Sequence, residues 1–231
     1  LAVLNLILFI SNYKPGTYLT GWDNLHPEFD PVMNIKRSIF AVWQEYQGLG
    51  LLGGMGHAAD LPRQIIIYFI SYILPASLIR YLSTFAALFL GSIGAYFLTK
   101  HVLSIRYQVS SMNSKIHDTK IPALLAGIFY TLNIATIQTF YAPLEGFVYH
   151  FAFLPWLLFT SILFLEKSNL TRTIFLVFTL FLATPASYIP TLFVVYILAI
   201  SVYIFVNSIL NSDKIHILTT AAKLFFIIIL V

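Results

Sequence analysis

Long runs of apolar residues with almost no charged positions dominate the chain after residue 75. A shorter run of the same kind opens the chain. These windows are 1–10, 76–99, 121–140, 147–165, 173–187, 189–210 and 215–231. Because a helix needs about 20 apolar residues to cross a bilayer core, the pattern predicts an all-α, polytopic bundle of about seven transmembrane helices. The first and last windows are interpreted as truncated spans, so residues 76–231 are expected to be a helix-bundle fragment of a longer protein.

Residues 11–75 have a different pattern and are predicted to be a long loop with two helices of their own. Apolar residues recur at helical spacing from Val32 to Tyr46, which predicts an amphipathic helix of about 16 residues lying on the membrane surface. Residues 62–74 are apolar but too few to cross, so an interfacial or re-entrant helix is expected there. The glycine-rich stretch 48–56 between them lets a ligand approach the backbone.

The composition supports a lipid environment. Of 231 residues, 59% are hydrophobic and 10% are charged, and the mean hydropathy is +0.85. A soluble domain of this size has too little interior to hide so much apolar surface. The chain has no Cys, which excludes disulfide scaffolds and thiolate metal sites. The Lys and Arg residues are scattered rather than clustered, so no nucleic-acid partner is expected.

The positions of the basic residues predict the orientation in the membrane. Seven Lys and Arg residues lie in the loops on one side of the predicted spans, whereas the two short loops on the other side have none. They are Lys100, Arg106, Lys115, Lys120, Lys167, Arg172 and Lys214. Since cytoplasmic loops retain positive charge, we expect a multi-pass protein of the plasma (inner) membrane with the 11–75 loop outside.

Acidic residues in the outer loop are the first candidates for catalysis. Asp23 and Glu28 begin no obvious helix and lie among aromatic and proline residues, where a carboxylate can serve as an acid or base, although a solvated loop position is the alternative. Asp30 and Asp60 precede predicted helices and are expected to be N-caps. Asp30, together with Asp23 and Glu28, is also a candidate ligand for a divalent cation such as Mg²⁺ or Mn²⁺.

Four further residues are candidates for substrate binding. Glu145 is the acid of a short outer loop, where simple solvation is the alternative. Arg80 lies five residues into an apolar run, so it either reaches the lipid headgroups or binds a phosphate. Arg63 begins the preceding apolar helix, and His57 lies between the glycine-rich stretch and Asp60. For His57 a structural role is the alternative.

Four short segments resemble known membrane enzymes. They are 43–50 (WQEYQGLG), 61–63 (LPR), 76–80 (ASLIR) and 154–156 (LPW). With the predicted topology, they resemble the N-terminal half of the C-type (GT-C) membrane glycosyltransferases, nearest to the arabinofuranosyltransferase type and its uncharacterised bacterial relatives.

The resemblance implies a transferase that moves a sugar from a polyprenyl-phosphate donor to an extracytoplasmic glycan, lipid or protein acceptor by inverting displacement. It also implies an essential acid in the first outer loop, which falls on Asp23 first and Glu28 second. The loop has no Asp-x-Asp pair, which departs from the family and leaves the metal open. A multi-pass transporter, a lipid flippase and a structural membrane protein remain alternatives.

Overall fold

A computed structural model describes residues 1–21, 26–40, 43–44, 50–52, 56–110, 119–210 and 214–231. The long helices are α5 (Ala76–Ser110), α8 (Glu145–Glu166), α9 (Leu170–Ala183), α10 (Pro190–Leu210) and α11 (Lys214–Leu230). The shorter helices are α1 (Ala2–Asn12), α2 (Pro31–Ile39), α3 (Gly56–Ala59), α4 (Leu61–Ser71), α6 (Lys120–Leu132) and α7 (Ile134–Tyr141). Two 3₁₀ turns, Pro27–Phe29 and Thr184–Tyr188, complete the helical structure of these residues.

By length and composition, four helical segments of the described residues can cross a membrane, and the helical fold agrees with the sequence prediction. These segments are Ala76–Ile105, Glu145–Glu166, Leu170–Ser187 and Pro190–Leu210. Helices α6 and α7 make a fifth span if the bent pair is counted as one. The described part of the chain therefore supports four or five spans, fewer than the seven predicted, because α1 and α11 have only 11 and 17 residues.

Asn133 explains why the run 121–140 is not a straight span. It ends α6 and begins α7, and the two helix axes differ by 43°. Its side-chain oxygen accepts a hydrogen bond from the Thr136 backbone N–H, while its amide donates to the carbonyls of Phe129 and Tyr130. An asparagine side chain that satisfies backbone groups in this way competes with the continuous helix.

Helix α8 lies at the centre of the bundle and packs closely against α5. A Cβ added to Gly94 of α5 would lie 2.8 Å from the Trp156 ring, so only glycine permits this approach. The Trp156 indole N–H then donates to the Leu90 carbonyl at 2.9 Å. Pro155 lacks the N–H that would otherwise bond the Phe151 carbonyl, and the Tyr130 hydroxyl of α6 donates to that carbonyl instead, at 2.9 Å.

The predicted 16-residue amphipathic helix is wrong in length. Helix α2 ends at Ile39, and Trp43 instead pairs with Leu52 in a two-stranded antiparallel ladder of β1 (Trp43–Gln44) and β2 (Leu51–Leu52). The ladder needs glycine at position 50, where φ is +97° and an added Cβ would lie 2.4 Å from the Trp43 ring. Beyond Ile39, the described apolar position Trp43 therefore lies in a strand rather than in a helix.

Helix α2 turns its polar face towards the protein. Its buried residues are Asn34 and Ser38, while Val32, Met33 and Ile39 are exposed. Helix α4, by contrast, buries Pro62, Arg63, Gln64 and Ile67 and ends before Pro75, close to the boundaries predicted for the second loop helix. The two helices pack against each other. At the start of α4, Arg63 contacts Glu145, the first residue of α8.

Candidate functional site

A buried cluster of charged side chains lies where α4, α5, α8 and the turn Pro27–Phe29 meet. It contains three carboxylates and two guanidinium groups, and at most 15% of any of these side chains is exposed. The members are Glu28, Asp60, Arg63, Arg80 and Glu145. We call this set the charge cluster. Burial of charge on this scale is costly unless every group is paired.

Asp60 and Arg63 make the tightest pair in the charge cluster. The Arg63 Nε donates to Asp60 Oδ1 at 2.6 Å and its Nη2 donates to Oδ2 at 2.5 Å, a bidentate arrangement. The side-chain amide of Gln64 also donates to Oδ2. Asp60 occupies the N-cap position of α4, as predicted, but its side chain accepts no capping hydrogen bond. The prediction that the Asp60 carboxylate caps the helix is therefore wrong, because its oxygens accept hydrogen bonds from the side chains of Arg63 and Gln64 instead.

The ionisation of this pair reflects burial and neighbouring charge. Burial raises the pKa of the Asp60 carboxyl, and the nearby Glu145 adds to that rise, while Arg63 opposes it. Burial alone would lower the pKa of Arg63, but the charges of Asp60 and Glu145 raise it well above its usual value. Arg63 is therefore a permanent cation, whereas the Asp60 carboxyl binds a proton more readily than an exposed aspartate does.

Glu145 bridges the two arginines. Its Oε2 accepts from Arg63 Nη2 at 2.8 Å, and its Oε1 accepts from Arg80 Nη1 at 2.6 Å. Glu145 is also the first residue of α8, where the helix dipole favours a negative charge. Of the alternatives that the sequence left open, simple solvation of this acid is excluded by its two ion pairs.

Arg80 is buried and does not reach outward. Its Nε donates to the Leu19 carbonyl at 3.0 Å and lies 3.8 Å from a Glu28 oxygen. Glu28 in turn lies 3.1 Å from the Nδ1 of His26. The side chain of Arg80 thus ties the loop before the turn Pro27–Phe29 to helix α5. These contacts exclude the alternative in which the Arg80 side chain reaches out to the lipid headgroups.

Two cavities larger than a single water molecule adjoin the charge cluster, and a third, of only about 10 Å³, lies beside Arg80 and Glu145. The larger, about 280 Å³, lies between α4, α5 and α8 and is lined mostly by aliphatic side chains such as Ile67, Ala86 and Leu90. The smaller, about 120 Å³, is lined by Asp60, Glu145, Pro185 and Ile189 among others. Arg63 and Tyr149 line both cavities, and the guanidinium carbon of Arg63 lies 5.2 Å from the centre of the Tyr149 ring. The two cavities therefore share two side chains. We call the larger the apolar cavity and the smaller, which is lined by two carboxylates as well as by apolar side chains, the polar cavity.

Of the other candidate residues from the sequence, Asp30 is not in the charge cluster. Asp30 caps α2, since its Oδ1 accepts from the Met33 backbone N–H at 2.9 Å, which confirms the predicted cap. Asp23 and the side chain of His57 lie outside the described residues. Among the described residues, no group of three or more His, Asp or Glu side chains is placed to hold a metal ion. The divalent cation stays a prediction.

Sequence reasoning missed three contributors to the site. It treated Asp60 only as a cap and did not single out Gln64 or Tyr149. The spacing of Asp60 and Arg63, three residues apart in sequence, was a usable signal, because side chains at this spacing meet on one face of a helix. No local signal pointed to Tyr149, which reaches Arg63 only through the packing of α8 against α4.

No protein-family model, curated protein or solved structure matches this chain.

Proposed function

We propose that this chain is part of a membrane glycosyltransferase that takes a sugar from a polyprenyl-phosphate donor and passes it to an extracytoplasmic glycan, lipid or protein acceptor. The observation that carries the proposal is the apolar cavity between α4, α5 and α8, which shares Arg63 and Tyr149 with a polar cavity. A ligand that suits both cavities has an apolar chain joined to an anionic, hydroxyl-rich head.

The apolar cavity suits a hydrocarbon chain. Its lining is apolar apart from Arg63, Ser83 and Tyr149, and its volume of about 280 Å³ accommodates only a short part of a polyprenyl chain. Burying each CH₂ group of such a chain contributes about 0.8 kcal/mol. The rest of the chain would extend among the membrane lipids, because the cavity-lining side chains Ile66 and Ile70 of helix α4 are also exposed at the surface.

The polar side of the site suits the phosphate and the sugar. Arg63 lines both cavities and keeps its charge at any accessible pH, so it is the cation best placed to meet a phosphate at their junction. Arg80, first expected from the sequence to hold the phosphate, lines neither of these two cavities and is proposed to position Glu145 and the loop that carries Leu19. Asp23 remains the proposed loop acid for activating the acceptor, with Glu28 as the second candidate.

A lipid flippase is the second candidate, because the same apolar cavity and Arg63 would also bind a lipid phosphate without any bond being broken. The two functions differ in their products. A transferase releases free polyprenyl phosphate and forms a glycosidic bond, whereas a flippase returns the lipid unchanged on the other side of the bilayer.

The test compares two substitutions of exposed alanines in the full chain, purified into nanodiscs. Ala86→Phe places a ring in the apolar cavity, while Ala135→Phe adds the same ring to α7, away from it. With a panel of polyprenyl-phosphate sugars, we expect the wild type and Ala135→Phe to release polyprenyl phosphate and Ala86→Phe to lose at least tenfold in kcat/KM. Lipid transfer between leaflets without any release would favour the flippase. Equal kcat/KM for all three proteins would remove the cavity from the proposal.

A further inference from the structure

Asp60 and Glu145 place two carboxylates on one guanidinium nitrogen. Arg63 Nη2 donates to Asp60 Oδ2 at 2.5 Å and to Glu145 Oε2 at 2.8 Å. From this geometry we infer that Asp60, the N-cap residue of α4, and Glu145, the first residue of α8, form a proton-binding carboxylate pair that opens onto the polar cavity. We call them the carboxylate pair.

The charge count of the cluster leaves room for one proton. Glu28, Asp60 and Glu145 carry three negative charges when ionised, against the two positive charges of Arg63 and Arg80. A surplus negative charge in a buried site is costly, and a proton on the carboxylate pair removes it. Two carboxylates that share one site rarely both stay ionised, and the first proton then belongs to the pair.

The carboxylate pair still has free acceptor capacity. A carboxylate offers about four lone-pair positions. Asp60 uses three of them, with Arg63 twice and Gln64 once, whereas Glu145 uses two, with Arg63 and Arg80. Both residues line the cavity of about 120 Å³, which is large enough for a hydroxyl group or a water molecule. The pair can therefore accept a proton from a group in that cavity.

Other charged and titratable groups face the carboxylate pair from each described element around it. Arg63 comes from α4, Arg80 from α5 and Tyr149 from α8. Glu28 and His26 lie beyond Arg80, next to the turn Pro27–Phe29, and face each other at 3.1 Å. Among the described residues, His26 pairs with Glu28 rather than with Asp60 or Glu145. Burial raises the pKa of Asp60, which agrees with proton binding by that member of the pair.

Use of this proton site in catalysis rests on the proposed function, whereas proton binding itself does not. In the transfer, a lone pair of the acceptor oxygen forms the new bond to the anomeric carbon. The bond from that carbon to the phosphate oxygen breaks, and its electrons leave with polyprenyl phosphate. The acceptor O–H proton goes first to Asp23, the proposed base, and then to the carboxylate pair in its unprotonated form, which releases it to water. No oxidant, reductant or additional reactant is needed.

The experiment is pH-difference infrared spectroscopy on the full chain in nanodiscs, with Asp60→Asn, Glu145→Gln and Asp30→Asn compared with the wild type. For the wild type, we expect a carboxylic-acid band that forms at higher pH than the bands of exposed carboxyl groups, which are protonated at about pH 4. It should correspond to one proton per chain, be lost in Asp60→Asn and Glu145→Gln, and remain in the capping control Asp30→Asn. Each of the two pair variants leaves two carboxylates for two guanidinium groups, so the fold should tolerate it.

Two results would overturn the inference. One is a wild-type protein without an early-titrating band, and the other is a band that persists in both pair variants. Kinetics separate this inference from the proposed function. An early band in a chain that transfers no sugar refutes only the proposed function, whereas sugar transfer without the band refutes only the carboxylate pair.

Discussion

The charge balance of the cluster predicts that removing Arg80 and removing Glu145 have very unequal costs. Arg80→Met leaves three buried carboxylates with one guanidinium group, whereas Glu145→Gln leaves two of each. Loss of one partner from a buried ion pair typically costs about 3–5 kcal/mol. We expect Arg80→Met to reach that range, because both Glu28 and Glu145 lose their shared cation. Glu145→Gln should cost about 1–3 kcal/mol, the usual cost of weakened buried hydrogen bonds.

The double variant Arg80→Met/Glu145→Gln is the sharpest part of this test. It restores the wild-type imbalance of one surplus carboxylate, so its cost should be below the sum of the two single costs by about 1–3 kcal/mol, as for residues in one network. Unfolding of the purified chain in detergent would measure all three free energies. The matched control is Arg172→Met, whose ion pair with Glu166 is more than a quarter exposed on each side, and which should cost about 1 kcal/mol or less.

Additive costs in the double variant would refute the reasoning, because they would mean that Arg80 and Glu145 do not share one electrostatic network. A cost for Arg80→Met as small as that of Arg172→Met would refute it as well. Such a result would show that water reaches the charge cluster and screens its charges.

Three further predictions follow from the structure and the sequence. Asp23→Asn should lower sugar transfer by about two to four orders of magnitude, the usual contribution of a general base. Asp30→Asn should retain most activity, because asparagine caps a helix as well as aspartate does. Transfer kinetics would check both variants, and an active Asp23→Asn protein would remove Asp23 as the base. Single cysteines at the exposed positions Tyr141 and Leu170 should react with an impermeant reagent from opposite sides of the membrane, with Tyr141 outside. Labelling of both cysteines from the outside of intact cells would contradict the orientation predicted from the basic residues. Folding raises the pKa of Asp60, so just above the ordinary aspartate pKa the folded chain binds more protons than the unfolded chain. The free energy of unfolding should therefore fall as the pH rises through that range. The decline should be smaller in Asp60→Asn, and an equal slope in both proteins would refute the raised pKa of Asp60.

The candidate membrane-spanning helices could be predicted from the sequence, because a helix that crosses a bilayer requires a long run of apolar residues. The runs 76–99 and 147–165 begin within two residues of α5 and α8, and the second run ends one residue before α8 does, whereas α5 continues 11 residues beyond the first run. Breaks within such runs are harder to predict. Asn133 interrupts one run through three side-chain hydrogen bonds to nearby backbone groups, and hydrophobicity alone does not reveal them.

The charge cluster could be predicted only in part. Arg63, Arg80, Glu145 and Glu28 stood out as charges in or near apolar segments, but their mutual contacts depend on how distant helices pack. Glu145 lies 82 residues from Arg63 and 65 residues from Arg80 in the chain. The apolar periodicity also predicted too long a helix for α2, because the helical spacing of apolar residues continues past Ile39 to Trp43, which lies in a strand.

Photo-crosslinking of a diazirine-bearing polyprenyl phosphate to the wild-type chain in nanodiscs tests the central claim most directly. The claim is that the cavity between α4, α5 and α8 holds the lipid chain while Arg63 meets its phosphate. We expect mass spectrometry to place the crosslinks on cavity residues such as Ile70, Leu74 and Leu90, to find them reduced by excess unlabelled polyprenyl phosphate, and to find them lost in Ala86→Phe. Crosslinks distributed equally over the exposed apolar face of α10, without competition, would contradict the claim.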